Sequence, residues 1–350
     1  MAVIGPNGSG KTALLKPICF LAWFISHSFA YGPDDDIPCM PHFSSNDLPT
    51  KFWVELVFDK ALWRYELVCT HKMVLHEALY RKHDRFRYVF VRDWDEVTQS
   101  YMVKQNDFGL LPQEAKKVRT NASLISTAAQ YDVPLAKSLS NTALYSNVNQ
   151  IGRDGSSLDA ALFQAAKHYH DNPSQFETMK ELLTSWDFGL QDIEIKEHNS
   201  TDSSGKAVQR YLPFGKHKTK KHSASIPFIL ESTGTQSAFV LLTHLLRALE
   251  TGGLAVIDEF ESDLHPQMLE PIINLFSHPK YNPRGAQLLF SCHAMEVLNI
   301  LHKTQVILVE KDEECESSSC RLDKIVKHVR TTENYYAKYM AGAYGAIPRL

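Results

Sequence analysis

Residues 5–12 read Gly5-Pro6-Asn7-Gly8-Ser9-Gly10-Lys11-Thr12, and no other stretch limits the fold so narrowly. They fit the pattern G-x-x-x-x-G-K-[ST] without a mismatch. Glycines let successive backbone N–H groups curl around an anion, and a following helix adds the positive end of its dipole. In that arrangement Lys11 reaches the outer phosphates of a nucleotide, and the Thr12 hydroxyl holds Mg²⁺. The motif needs a strand before it and a helix behind it. Ala2-Val3-Ile4 supplies the strand, and the apolar run Ile18 to Phe29 supplies the helix. A Gly/Ser turn preceding Lys and Thr by accident would match in about one chain of this size in a hundred. Pro17 should bend or delay the first turn of the helix.

The 350 residues can bury one large core or two modest ones. Apolar content of 44% and charged content of 22% are those of an ordinary soluble globular protein. A net charge of −3 gives no overall drive toward nucleic acid, so any such contact must be a local patch. The six cysteines form no CxxC pair and no disulfide framework, which fits a reducing, cytoplasmic setting. Lys11 and Lys16 followed by Ile18 to Ala30 imitate a secretory signal, but that reading leaves a complete phosphate loop as coincidence. The run is also too short to span a bilayer. A buried helix behind the loop, with no membrane partner, is expected instead.

After this helix, residues 31–38 form an acidic, turn-rich loop. From Thr50 to Asp93 the pattern alternates. Phe52, Val54, Leu56 and Phe58 share one face, and Leu62 to Cys69, Val74 to Lys82 and Phe86 to Val91 read as further antiparallel strands. Around Asn121 the period becomes helical. Leu158, Ala161, Leu162, Ala165 and Tyr169 fall at helix spacing, as do Phe176, Met179, Leu182, Leu183 and Trp186. Asn172-Pro173-Ser174-Gln175 has the cap, the proline and the glutamine of a helix start. Residues 121 to about 190 therefore read as a helical arm. Strand character returns from Asp192 to Ile229, broken by a turn from Asn199 to Gly205. This stretch carries the basic run Lys216 to His222, which reads as a solvated hairpin tip or as a salt-dependent phosphate-backbone contact.

The second half of the site lies downstream. Leu254 to Ile257 is a short apolar strand delivering Asp258-Glu259. Opposite a phosphate loop, Asp258 would hold the Mg²⁺ shell, and Glu259 would orient and deprotonate the attacking water. Ahead of it, Glu231-Ser232-Thr233-Gly234-Thr235-Gln236 leads into a helix built on Leu241, Leu242, Leu245, Leu246 and Leu249. Its small residues make a second anion-binding helix end. Leu264-His265-Pro266 starts another helix with Met268, Leu269, Ile272, Ile273 and Phe276. Then Gln287 to Ser291 gives a strand ending at Cys292-His293. One helix-and-strand unit past the acidic strand, His293 would sit beside the γ-phosphate to sense and stabilise it.

Taken in order, these pieces resemble the ATP-binding-cassette branch of phosphate-loop ATPases. The loop matches Walker A, Ser232 to Gln236 an S-x-G-x-Q signature, Leu254 to Asp258 with Glu259 Walker B, Ser262 to Pro266 a D-loop, and His293 a switch histidine. The segments Val118 to Leu124, Glu231 to Gln236, Leu264 to Pro266, Val309 to Asp312 and the tail Tyr339 to Pro348 are similar to those of stand-alone AAA/ABC-type ATPases of bacterial abortive-infection and anti-phage systems, the RloA and AbiL type. That resemblance implies a head-to-tail homodimer binding ATP and Mg²⁺. Walker residues of one copy would face Ser232, Gly234 and Gln236 of the other. It also implies a sensor or regulatory ATPase working with an effector nuclease, TOPRIM-like of the RloB type or HNH.

Three departures qualify the resemblance. The loop begins at the fifth residue, where relatives carry further strands and an adenine contact, so a start truncated relative to them is expected. No Gln occurs between Thr12 and Gln99 to serve as the lobe-linking glutamine. The signature reads S-T-G-T-Q rather than S-G-G-Q. The expected fold is an α/β phosphate-loop NTPase of ABC-ATPase head type with an antiparallel β-subdomain and a helical insertion. Residues 1–30 and 226–350 would form the RecA-like nucleotide-binding lobe. Residues 31–120 would form the β-subdomain, and residues 121–225 the helical insertion and signature side. The rival reading is a nucleotide-gated DNA clamp of SMC-like repair type, weakened by the lack of long heptad arms.

Overall fold

The computed structural model describes the chain apart from residues 46–47, 187, 202–206, 326–333 and 348–350. The expected turn from Asn199 to Gly205 therefore lies partly outside the described residues, as does the end of the tail to Pro348. In chain order, strand β1 (Ala2–Ile4) enters the phosphate loop, and helix α1 (Lys11–His27) leaves it. Next come β2 (Thr50–Phe58), β3 (Ala61–Cys69), β4 (Val74–Lys82), β5 (Phe86–Asp95) and β6 (Ser100–Gln105). They are followed by α2 (Pro112–Lys116), α3 (Leu124–Gln130) and α4 (Pro134–Ser140). The chain continues with β7 (Leu144–Ser146), α5 (Leu158–Asp171), α6 (Pro173–Ser185), β8 (Asp192–Thr201), β9 (Ala207–Lys218) and β10 (Ser223–Pro227). It closes with α7 (Thr233–Thr251), β11 (Leu254–Ile257), α8 (Leu269–Ser277), β12 (Gln287–Cys292), β13 (Val306–Lys311), β14 (Ser317–Arg321), α9 (Leu322–Ile325) and α10 (Tyr335–Met340).

Two compact units divide these elements. The first comprises residues 1–15, 143–147 and 153–350. Its main sheet runs β14-β13-β1-β12-β11-β7, parallel except for the β13–β14 pair. Ala2, Val3 and Ile4 are fully buried, as an unbroken apolar strand in the middle of a parallel sheet must be. Helix α7 brings Ala238, Phe239, Leu242, Leu245 and Leu249 to the same core as Ala255 and Ile257 of β11. Ser232 caps its start by accepting the Thr235 N–H at 3.2 Å, and Gly252 ends it in the left-handed region at φ 71°. A separate antiparallel sheet, β10-β9-β8, belongs to this unit.

The second unit comprises residues 16–142 and 148–152. Its sheet is a meander in the order β2-β3-β4-β5-β6, antiparallel throughout. Phe20, Leu21 and Phe24 of α1 share its core with Trp63, Tyr65, Leu67, Leu79 and Phe90. The deepest polar feature here is the Glu77–Arg92 pair, both side chains fully buried, Nη1 to Oε2 at 3.3 Å. Glu77 also accepts from Tyr65 Oη at 2.9 Å, Ser123 Oγ at 2.6 Å and the Leu124 N–H at 2.9 Å. Arg92 donates to the carbonyls of Ala122, Arg119 and Val118 at 2.8, 2.7 and 3.1 Å. Residues 118–124 are thus a wrapping for a buried ion pair.

Several local expectations change. Strand β6 escaped the sequence pattern because only Tyr101 in it is buried. The helical arm is interrupted by β7, three residues too short to show a period. Helix α6 does start at Pro173, but Asn172 does not cap it. The Asn172 amide donates instead to the His168 carbonyl at 2.8 Å, and Gln175 turns toward Glu250. Pro17 lies inside α1 without delaying it, since the Leu14 N–H already bonds the Gly10 carbonyl at 3.0 Å. With that first turn included, residues 11–30 are long and apolar enough to cross a membrane by length and composition. Of that stretch 33% is buried inside the protein, Cys19, Phe20, Leu21 and Phe24 included.

Candidate functional site

The parallel register of the first unit assembles the site. Ile257 pairs with Phe290, so the next residues out, Asp258 and Ser291, meet at the same edge of the sheet. On the other side β7 pairs Ser146 with Val256, which brings Asn147 alongside Asp258. Ligands of open α/β sheets bind at such carboxyl ends of strands. The phosphate loop leaves β1 at the same end, because β1 pairs Ile4 with Cys292 of β12.

The loop itself is shaped by backbone conformation. Gly8 and Gly10 take φ of 75° and 102°, the left-handed values that spare only glycine a steric cost. A Cβ on Gly5 would run into the Val309 carbonyl oxygen. Pro6 is half-buried, Asn7 and Gly8 are exposed, and the Ser9 hydroxyl is buried with no hydrogen-bond partner among the described residues. Lys11 is buried and folds its ammonium back onto the carbonyls of Gly5 at 2.9 Å and Pro6 at 3.0 Å. Burial holds its pKa below the usual lysine value, with Asp258 and then Glu261 partly restoring it.

Thr12 Oγ1 donates to Asp258 Oδ2 at 2.7 Å across 246 residues of sequence. Ser291 Oγ donates to the other oxygen, Oδ1, and itself accepts the Glu259 N–H at 2.8 Å. Asn147 clamps the Asp258 backbone reciprocally, accepting its N–H at 2.8 Å and donating to its carbonyl at 2.9 Å. Glu259 sits at φ 50°, a left-handed conformation that costs a non-glycine residue energy and is held by the Ser291 contacts on either side of it. The Glu259 carboxylate pairs with Arg153. A cavity of about 350 Å³ opens beside it, lined by Arg153, Asp154, His168, His244 and Arg247 among others; the phosphate loop takes no part in its walls. His293 is pushed below the usual histidine pKa by partial burial and then by the nearby Lys11 charge, against Glu261 and Asp258.

Lys11, Thr12, Asp258, Glu259 and His293 therefore meet at one edge of the sheet. Ser232, Gly234 and Gln236 share no hydrogen bond with the loop among the described residues and lie at the start of α7. Ser232 is exposed, Gly234 presses against the Asp263 carbonyl, and Gln236 is buried, its amide spent on the Glu231 carbonyl at 2.8 Å. Four residues escaped the sequence reading: Ser291, Asn147, Glu261 and Arg153. Only the strand register or a loop path places them here, and neither leaves a local signal.

No group of three or more His, Cys, Asp or Glu among the described residues could hold a metal by itself. A small hard cation would instead use the Thr12 hydroxyl, the Asp258 carboxylate and oxygens of a bound phosphate, as Mg²⁺ commonly does. The donor set and the loop with its unpartnered Ser9 hydroxyl fit a nucleotide with Mg²⁺. A family model described as "AAA domain, putative AbiEii toxin, Type IV TA system" matches residues 1–299. No curated protein matches the chain.

Proposed function

Because the chain belongs to this AAA-domain family, a family of nucleotide-binding ATPase type, we propose that it binds ATP with Mg²⁺ and hydrolyses it. The Thr12–Asp258 hydrogen bond carries this reading, since it joins the two motifs that must share one metal. Lys11 leaves the Gly5 and Pro6 carbonyls to meet the outer phosphates, a short swing because those carbonyls line the same loop. When bound, Mg²⁺ neutralises charge on the phosphates. Glu259 orients the attacking water and takes its proton, which requires the Arg153 pair to open first. His293 donates to the terminal phosphate.

The exposed Ser232 at the start of α7 suits contact with the nucleotide of a second copy, giving a head-to-tail homodimer. The family description names a toxin system, which supports a regulatory ATPase coupled to an effector, a nuclease of TOPRIM or HNH type, in cytoplasmic anti-phage defence. The test is direct. Lys11→Ala should abolish binding of a fluorescent ATP analogue. Glu259→Gln should retain binding, accumulate an ATP-bound dimer in size-exclusion runs and slow phosphate release about a hundredfold or more. Unchanged turnover in Glu259→Gln would reject that residue as the base.

A further inference from the structure

Glu261 lies two residues beyond Glu259 in the turn after β11, and the pattern of phosphate-loop motifs gives it no task. Its Oε1 accepts the backbone N–H of His293 at 2.5 Å. Its Oε2 is buried and has no hydrogen-bond partner among the described residues. The Cys292 thiol beside it also interacts with this carboxylate. Glu261 thus meets the end of β12 at two consecutive residues, through the Cys292 thiol and the His293 N–H.

We infer that Glu261 is a positioning residue for His293: its carboxylate joins the turn that carries Glu259 to the end of β12, and so fixes the backbone from which the imidazole reaches the terminal phosphate. The inference rests on the ATPase reading above. The bond crosses between the two strand ends beyond the last paired residues, Ile257 and Phe290. Beyond them Ser291 secures Asp258 and the Glu259 backbone, while Glu261 secures His293. Base and histidine thereby move as one body. A carboxylate suits this better than an amide, because a hydrogen bond to a charged acceptor is roughly twice as strong.

Glu261→Ala, Glu261→Gln, His293→Ala and the double variant Glu261→Ala/His293→Ala, made in the full chain, test the joint. Amide exchange at His293 reads it without any nucleotide. Alanine at 261 should speed that exchange about tenfold or more, the size of one charge-assisted hydrogen bond, while glutamine should largely restore protection. In hydrolysis assays, alanine at 261 should lower kcat about tenfold and leave affinity for a fluorescent ATP analogue near wild type. The double variant should be no slower than His293→Ala alone, the non-additivity expected of residues acting as one unit. Unaltered His293 exchange in Glu261→Ala, or losses that multiply in the double variant, would overturn the inference. A wild-type chain that binds no ATP would instead remove the ATPase reading, with the exchange result still deciding whether the joint exists.

Discussion

Ser291 has one hydroxyl and uses it twice, donating to Asp258 and accepting from the Glu259 N–H. It is fully buried at the end of β12. Alanine there would leave a buried carboxylate oxygen and a buried N–H unpaired, costing about 1–3 kcal/mol of stability. It would also remove one of the two Ser291 contacts that hold Glu259 in its left-handed conformation, the carbonyl bond to the Phe260 N–H remaining. We expect Ser291→Ala to lower kcat about ten- to a hundredfold with a smaller effect on nucleotide affinity, read from steady-state hydrolysis and analogue titration. Nothing in the sequence marked Ser291, because a serine before Cys292-His293 carries no period and no motif. The glycines of the loop were legible for the opposite reason: φ of 75° and 102° at Gly8 and Gly10 is a requirement that the residue type itself records.

At the scale of elements, alternation located β2 to β5 within a few residues and helix spacing located α5 and α6. The amphipathic period is a direct imprint of one buried face. It could not see that residues 118–124 wrap Glu77 and Arg92, because that contact joins β4, β5 and the start of α3 across 26 to 47 residues. Arg92→Met should destabilise the protein by about 3–5 kcal/mol, since the Glu77 charge would remain buried without its partner. Replacing both, Glu77→Leu with Arg92→Met, should recover part of that loss; urea midpoints measure the two. The β9–β10 hairpin gives a second case. Lys216 is claimed by Asp192 and Glu194, and His217 by Glu231, so the basic run shrinks to Lys218, Lys220 and Lys221, exposed around the tip. That leaves the DNA-clamp reading with a smaller patch than seven residues of sequence suggested.

At the scale of the whole molecule, His244 is one group that ties stability to pH. His244 in α7 is pushed down to about 4 by burial and then by Arg247, with Asp154 acting the other way and His168 adding slightly. In the unfolded chain it titrates near the ordinary histidine value, so between about pH 6.5 and 4 the unfolded state binds the extra proton. The stability this neutral imidazole contributes is therefore whole above about 6.5 and is lost as pH falls toward 4, by up to about 3 kcal/mol. His244→Asn should flatten the acid limb of a plot of melting temperature against pH over that interval. An unchanged limb would assign acid sensitivity elsewhere.

The sequence by itself determined the phosphate loop, the acidic strand, the positions of most helices and strands, and the mixed α/β class. Each depends on backbone preferences or on a burial period that acts over a few residues. Only the tertiary structure decided that Asn147, Ser291 and Glu261 stand around Asp258 and His293. Their places follow from β7, β11 and β12 lying side by side in parallel register, although residues 147–253 and 258–286 separate these neighbours in the chain. Parallel pairing brings together residues with no local relation to one another, and a contact made that way leaves no trace in the residues that flank it.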